Sequence, residues 1–527
     1  MRLLLSKYAW HNQDDIYVTG FIRQGARYLK DAELAGYFQT AATPSEFGDL
    51  LLRASGQFAV VLLRGDEAWI ATDRLRSIPL FYYNSETTII SDSAYTLFNE
   101  IPHPEINEEA VPAFLSMGYT LNNFTLIKDL FQVETGEMVL LGQEIKRGFY
   151  HNNGTSEIYE RSIDQCSEEL SVLLEDIFRS HFLALKDSFI ALPLSAGYDS
   201  RLIALMCKKY HPERVLCYTY GREDNPEFAP AEEIARRLGF QWVKIVYDDD
   251  LIEGFVEDPV FKKYYKYASE FGSMFFMQEY FAVKYLRDKK LIPEDTYFVP
   301  GHAGNIIGGD HLVPALKNSI KTEEKLKKEI LHIFSYLMKL KRCEKDKICS
   351  QISEKTCISD NKTWTVFENW DIKERQSKFI VNSASVYNYF NYQYIIPYWD
   401  SALIDFFRLV SFDLKLNKQV YHFTLINTFF EPEGLNLDRE LYPDHFQLTL
   451  INIKKSIKKI LPSFIVTLFI DPRSLVFYDG ISKHLINDAG RKNFKVPPEA
   501  NNYNSYLTQW YMIKVRESVT KNQHGEK

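Results

Sequence analysis

Short runs of β-branched and aromatic residues recur through the first 150 positions: "DIYVTGFI", "QFAVVLL", "EAWIATD", "LFYY" and "TTIISD", each bounded by Gly, Asp, Asn or Ser. Runs of that length between turn formers predict strands, so residues 1–150 read as a strand-rich antiparallel or sandwich domain with few helices. From about 165 the texture changes to strands alternating with helices, the pattern of parallel βαβ units. The strand candidates are "SFIALPL", "RVLCYTY", "WVKIVY" and "TYFVP", and Pro193 is tolerable in the first because it lies near the strand's end. Between the second and third, "PAEEIARRLG" predicts a helix with Pro230 at an early position, Glu232 and Glu233 in the first turn and Gly239 past the end. Residues 315–385 are helical and charge-rich, with "KTEEKLKKE" a solvated face, and 385–470 reads as helical too. This divides the chain into 1–150, 165–470 and an extension, 471–527.

A chain of 527 residues exceeds what a single core usually supports, so two or more domains are expected. The net charge of -8 removes any general electrostatic reason to bind nucleic acid. The six cysteines, Cys166, Cys207, Cys217, Cys343, Cys349 and Cys357, form no CxxC pair or metal spacing, which points to reduced thiols and a cytoplasmic setting. "MRLLLSKYAWHNQDD" is too short in apolar residues for a signal peptide, and "ILPSFIVTLFI", Ile460 to Ile470, is too short to span a bilayer. No integral membrane segment is expected; after the basic "IKKSIKK" the latter is a helix packed on its own protein or on a membrane surface.

The stretch "LPLSAGYDSRLIALM", Leu192 to Met206, joins a strand to a helix through small and polar residues. Such a turn offers backbone N–H groups and the hydroxyls of Ser195 and Ser200 at a helix N-terminus, where an anion is favoured. Asp199 would repel a phosphate there unless a divalent cation lay between them, which implies Mg²⁺. From the turn alone, a tight connection with Asp199 capping the helix is an equal reading.

"LSAGYDS" resembles the PP-loop of ATP pyrophosphatase domains, and more narrowly the asparagine synthetase family. Further stretches fall in that family's order: "GQFAVVLL", "ATDRLRSIPLFYY", "IISDS", "TLIKDLFQVETGEMVLL", "VPGHAGNIIGG" and "IIPYWDSALIDFF". The resemblance covers about 50 to 430. It implies an α/β C-terminal domain with a parallel sheet of PP-loop (HUP-like) type and added helices, after an α+β amidotransferase-like (Ntn-hydrolase-like) domain. It implies ATP and Mg²⁺, with Ser195, Ala196, Gly197, Tyr198, Asp199 and Ser200 at the phosphates, and Tyr220, Gly221, Pro300 and Gly301 as the adenine walls. Lys418 in "LNKQVY" matches a charge-neutralising lysine, and Asp199 and Asn305 match metal-facing positions. The implied reaction activates a small-molecule carboxylate as an acyl-adenylate, releases pyrophosphate and forms an amide with ammonia or another amine.

The resemblance also has gaps. Position 2 holds Arg2 where glutamine-hydrolysing members carry a cysteine nucleophile, and no cysteine precedes Cys166, so loss of glutaminase activity is expected. Ala196 replaces the loop's first glycine, and Asn305 replaces an acidic residue, with Asp310 a partial substitute. His302 reads as a loop histidine without a catalytic role, and Arg201 either faces a substrate carboxylate or is an exposed helix residue. Aspartate and a sugar uronate of surface polysaccharide synthesis are the leading acceptors. A peptide or lactam cyclase and a non-catalytic nucleotide-binding scaffold are the rival readings, and a homodimer is the candidate assembly.

Overall fold

The computed structural model describes residues 1–84, 87–211, 213–302, 304–353, 355–358, 361–437, 474–491 and 503–523. Near the N-terminus two sheets face each other. One has seven strands, in which Gly56–Arg64 lies between Ile16–Gln24 and Glu67–Thr72, all antiparallel. The other has four, in the order Arg2–Leu4, Ile89–Ser91, Phe81–Tyr83, Leu130–Gln132. Its first pair is parallel, so the sheet is mixed rather than antiparallel throughout.

The period-2 alternation of a strand decides which layer each residue joins. Along Gly56–Arg64, Ala59 and Val61 pack with Tyr82, Ile90 and Val133 between the sheets, while Phe58, Val60 and Leu62 pack with Leu34, Phe38, Phe47 and Leu51 on the outside. That outer face needs a cover. It receives two helices, Asp31–Gln39 and Pro44–Arg53, so the first 150 residues hold more helix than their pattern predicts. The second has a capping box, Thr43 with Glu46, and Pro44 at its start, a signal legible in "TPSE".

The later part is built on a five-stranded parallel sheet, in the order Gln241–Val246, Val215–Gly221, Phe189–Pro193, Thr296–Phe298, Gln393–Tyr394. Every neighbouring pair is parallel, as the alternating pattern predicts. Pro193 ends the central strand, and Leu194 N–H continues the ladder to Tyr218 O at 2.8 Å. The helix after Val215–Gly221 is Phe228–Leu238, stopped by Gly239 at φ +70°. It begins two residues before Pro230, so Glu232 and Glu233 fall in its second turn, where Glu233 pairs with Arg236 and Arg237 at 2.7 Å.

The two parts share a core in which Phe81, Phe114 and Leu130 pack with Phe271, Tyr387, Trp510 and Tyr511. The helix Tyr503–Gln523 therefore packs inside that core, and Tyr511 accepts the Phe271 N–H at 3.2 Å. Ion pairs tie the first 150 residues to later ones: Arg23 to Asp400 at 2.7 Å, Arg74 to Asp405 at 3.0 Å and Lys7 to Glu270 at 2.9 Å. "KTEEKLKKE" is largely exposed, as expected, but the π-type stretch Ile372–Ile380 buries Lys373, Glu374 and Lys378. There Lys355 bridges Glu134 and Glu374, and Lys378 Nζ lies 2.6 Å from Glu374 Oε2. Burial alone would raise Glu134, yet Lys355, Lys378 and Arg147 outweigh it and bring it down to about 2. The expected helix at Ile460 to Ile470 lies outside the described residues. Among the described residues no helix is long and apolar enough to cross a membrane.

Candidate functional site

In an open parallel sheet, ligands collect beyond the carboxyl ends of the strands, where the strand order reverses. Here the reversal falls between Phe189–Pro193 and Thr296–Phe298. A cavity of about 720 Å³ lies there, lined by Ser195 to Ser200 from the first strand's loop, Thr219 and Tyr220 from the second strand, and Pro300 to His302 from the fourth strand's loop. Lys418 and His422 close it from a later segment.

The helix Tyr198–Tyr210 starts at Gly197 with no side-chain cap, so Asp199 is its second residue rather than its cap. The hydroxyls spend their bonds inside the loop. Ser200 Oγ accepts from Ser195 N–H at 3.1 Å and lies 2.9 Å from Ser195 Oγ, which accepts from Gly197 N–H at 3.1 Å. The loop is thus already shaped around the helix N-terminus, and its hydroxyls can exchange these bonds for those of an anion. Arg201 meets neither expectation: it is 1% exposed and points inward. Its guanidinium donates to Ala196 O at 2.7 Å and Leu435 O at 3.1 Å, between the rings of Tyr198 and Phe430. A buried guanidinium with fixed donors suits this bracing of a backbone turn better than a flexible ammonium would.

Asp199 is gripped from three sides. Tyr421 donates to its Oδ1 at 2.7 Å and Tyr398 donates to its carbonyl at 2.9 Å. From the second loop, a Cβ on Gly301 would lie 3.3 Å from Asp199 Cβ, and one on Gly304 would lie 2.6 and 2.7 Å from the two carboxylate oxygens. Gly304 therefore has to be glycine for the short helix Gly304–Ile307 to lie against Asp199. Asn305 is in that helix, and its side chain lies outside the described residues. Asp310 Oδ1 lies 3.8 Å from Lys418 Nζ. Lys418 and Asn417 both have left-handed backbones, φ 60° and 55°, an uncommon arrangement for two residues other than glycine that carries Lys418 into the cavity. Burial pushes His302 down to about 4, so it is neutral at pH 7, and the Ser383 hydroxyl lies 3.3 Å from its Nδ1.

Of the expected adenine walls, Tyr220, Pro300 and Gly301 line the cavity. Gly221 has a different position: at φ +143° it packs against Asn225 and the carbonyl of Leu475, where a Cβ would lie 2.6 Å from that oxygen. The structure thus gathers Ser195, Ala196, Gly197, Tyr198, Asp199, Ser200, Tyr220, Pro300, Gly301 and Lys418 around one cavity. Among the described residues no group of three His, Cys, Asp or Glu forms a metal cage. A single carboxylate beside a loop at a helix N-terminus fits magnesium that arrives on phosphate, because that ion keeps much of its shell from phosphate and water. Tyr398, Tyr421 and Gly304 lie within the stretches "IIPYWD", "LNKQVY" and "VPGHAG" but are not singled out there as site residues, and the carboxylate of Glu279 is an addition that no motif marks.

Residues 170–289 match the family model described as asparagine synthase. Among curated proteins, "Probable asparagine synthetase [glutamine-hydrolyzing]" of Acanthamoeba polyphaga mimivirus is 24% identical over 207 residues, covering 37% of this chain. The chain spans about a third of that relative's length, 35%. Two solved structures are similar at 10% identity: the allosteric regulatory enzyme of purine biosynthesis (47% of this chain, 73% of that one, TM-score 0.19) and the B. subtilis glutamine phosphoribosylpyrophosphate amidotransferase complexed with ADP and GMP (55%, 63%, TM-score 0.18).

Proposed function

We propose, from the match of residues 170–289 to the asparagine synthase family model, that this chain is an ATP-dependent ligase that joins a carboxylate to an amine. The observation that carries this reading is the convergence of the Ser195–Ser200 loop, Asp199 and Lys418 on one cavity at the reversal of the parallel sheet. In this reading the uncapped helix N-terminus, with Ser195 and Ser200, receives the β- and γ-phosphates of ATP. Tyr220 on one side and Pro300 with Gly301 on the other flank the adenine. Magnesium, held on its protein side by Asp199, would supply charge neutralisation between that carboxylate and the phosphates.

The acceptor carboxylate attacks the α-phosphorus, and the bond to the β-phosphate oxygen breaks, releasing pyrophosphate. Negative charge grows on that leaving oxygen, and Lys418 with the loop N–H groups stabilises it where it forms. The amine then bonds to the acyl carbon and AMP leaves. Lys418 and Asp199 are thus the groups assigned to catalysis. Aspartate and a sugar uronate are the acceptors to try first. Ammonia, free or delivered by another protein, or an amine on the substrate is the nitrogen donor to try first, since residues 1–165 hold no cysteine to attack glutamine.

The test is pyrophosphate release by the purified protein with MgATP, with aspartate or a panel of nucleotide-linked uronic acids, each with ammonium or glutamine. Release that requires one carboxylate and proceeds with ammonium supports the ligase. A protein that binds ATP irrespective of Asp199 and makes no pyrophosphate with any pairing is the scaffold of the rival reading.

A further inference from the structure

Glu279 stands out as a buried carboxylate whose cost the fold does not offset with a cation. It is 9% exposed and lines the same cavity as the Ser195–Ser200 loop. It occupies the N-cap of the helix Tyr280–Asp288 but makes no side-chain cap bond there, so its carboxylate is turned away from the helix. Tyr220 donates to its Oε1 at 3.2 Å, and Tyr387 donates to its Oε2. Tyr218 faces the same carboxylate; with about four lone-pair sites on the two oxygens, three phenols still leave acceptor capacity. Among the described residues it has no ion-pair partner, and the nearby His302 is held neutral by burial.

The ionisable groups that face it are tyrosines from every packed element: Tyr218 and Tyr220 on the second strand, Tyr247 after the third, Tyr264 and Tyr387 on neighbouring helices, and Tyr478 near the C-terminus. Tyr220 stacks on Tyr247 with centroids 5.4 Å apart, and Tyr387 stacks on Phe298 at 4.4 Å. A buried carboxylate held by phenol hydroxyls on rings that their own stacking fixes is a receptor for an ammonium group, which supplies the missing charge in a charge-assisted hydrogen bond.

We propose that Glu279 and its tyrosine wall form the nitrogen-substrate subsite, binding a protonated amine and taking its proton as it becomes the nucleophile. The proposal rests on the ligase reading for the reaction it serves. Glu279 accepts one proton from the ammonium and the freed lone pair bonds to the acyl carbon. The C–O bond to AMP breaks with its electrons on the phosphate oxygen, and the second N–H proton passes to water. Burial, against the hydrogen bonds from Tyr387, Tyr220 and Tyr218, moves the carboxyl up to about 7, so Glu279 can exchange protons at neutral pH. Below that value it is neutral and loses its hold on an ammonium; above it the site is charged.

The experiment is thermal denaturation of the full chain saturated with magnesium and α,β-methylene-ATP, titrated with ethylammonium or ammonium chloride against sodium chloride of equal ionic strength, from pH 5.5 to 8.5. Amine-specific stabilisation is expected, strengthening as pH rises through about 7. Glu279→Gln should weaken it ~10-fold or more while keeping the nucleotide's own stabilisation. Tyr387→Phe removes a bond that favours the ionised form and should move the pH midpoint upward, which also covers the case of a Gln variant that does not fold. Tighter binding of ethylammonium identifies an amine carried by a larger substrate, and equal binding identifies ammonia. Nucleotide stabilisation without any amine effect, or amine binding and midpoint unchanged in the variants, overturns the assignment of Glu279. Absence of nucleotide stabilisation in the unaltered protein overturns the ligase reading instead.

Discussion

Replacing Gly304 by alanine tests the contact between the second loop and Asp199. The added Cβ would stand 2.6 and 2.7 Å from the carboxylate oxygens, inside the ordinary carbon–oxygen contact distance. Asp199 has little room to retreat, because Tyr421 holds Oδ1 and Tyr398 holds the carbonyl. Overpacking of this kind costs about 1–3 kcal/mol. Against it, alanine in the helix Gly304–Ile307 gains at most ~1 kcal/mol over glycine. The net in the native background is a loss of ~0–2 kcal/mol in stability, with a fall in ATP affinity as Asp199 is displaced. In an Asp199→Ala background the clash is gone and only the helix gain remains, so the same substitution should stabilise by up to ~1 kcal/mol. Denaturant unfolding of the four proteins in this cycle measures a coupling of roughly 1–3 kcal/mol. Purely additive effects, or a destabilisation of equal size without Asp199, would refute the packing argument.

Further outcomes are expected elsewhere. Arg201→Lys should weaken ATP binding and lower the melting temperature, because an ammonium cannot brace Ala196 O and Leu435 O together; a loss of ~1–3 kcal/mol is expected, from unfolding and nucleotide titration. Lys418→Met should slow pyrophosphate release ~100-fold or more with an unchanged unfolding curve, if the lysine acts on the leaving phosphate. Lys355→Met should cost about 3–5 kcal/mol by leaving Glu134 and Glu374 buried without their shared cation. Glu134 ionises at about 2 when folded and at ~4.3 when unfolded, so its contribution is complete above about pH 5 and is lost as pH falls toward 2. That acid limb of the stability curve should flatten in the Lys355 variant.

The parallel sheet and the loop at its centre are legible because both are local signals: apolar runs separated by a helix with its own stop, and a cluster of small residues ending a strand. Ser195, Asp199, Ser200 and Lys418 come to one cavity as their motifs imply. Arg201 was not legible, since a charged residue one turn into a helix predicts an exposed position, and only the distant Leu435 and Phe430 give it a buried one. The tyrosines on Asp199 arrive from residues 398 and 421, about 200 positions away; both lie in the stretches "IIPYWD" and "LNKQVY", but nothing local in either says that its phenol reaches Asp199. Glu279 is hidden for the same reason, as one polar residue in an aromatic stretch whose partners sit at 220 and 387. In Lys373, Glu374 and Lys378, a charge-rich pattern that normally marks a solvated face is buried because Glu134 and Lys355 meet it.

The measurement that bears most directly on the central claim is the identity of the nucleotide product. Purified protein with MgATP, the carboxylate panel and ammonium should yield AMP and pyrophosphate in equal amounts, dependent on the carboxylate and abolished by Asp199→Ala. ADP and inorganic phosphate in their place, or AMP formation indifferent to Asp199, would contradict the account.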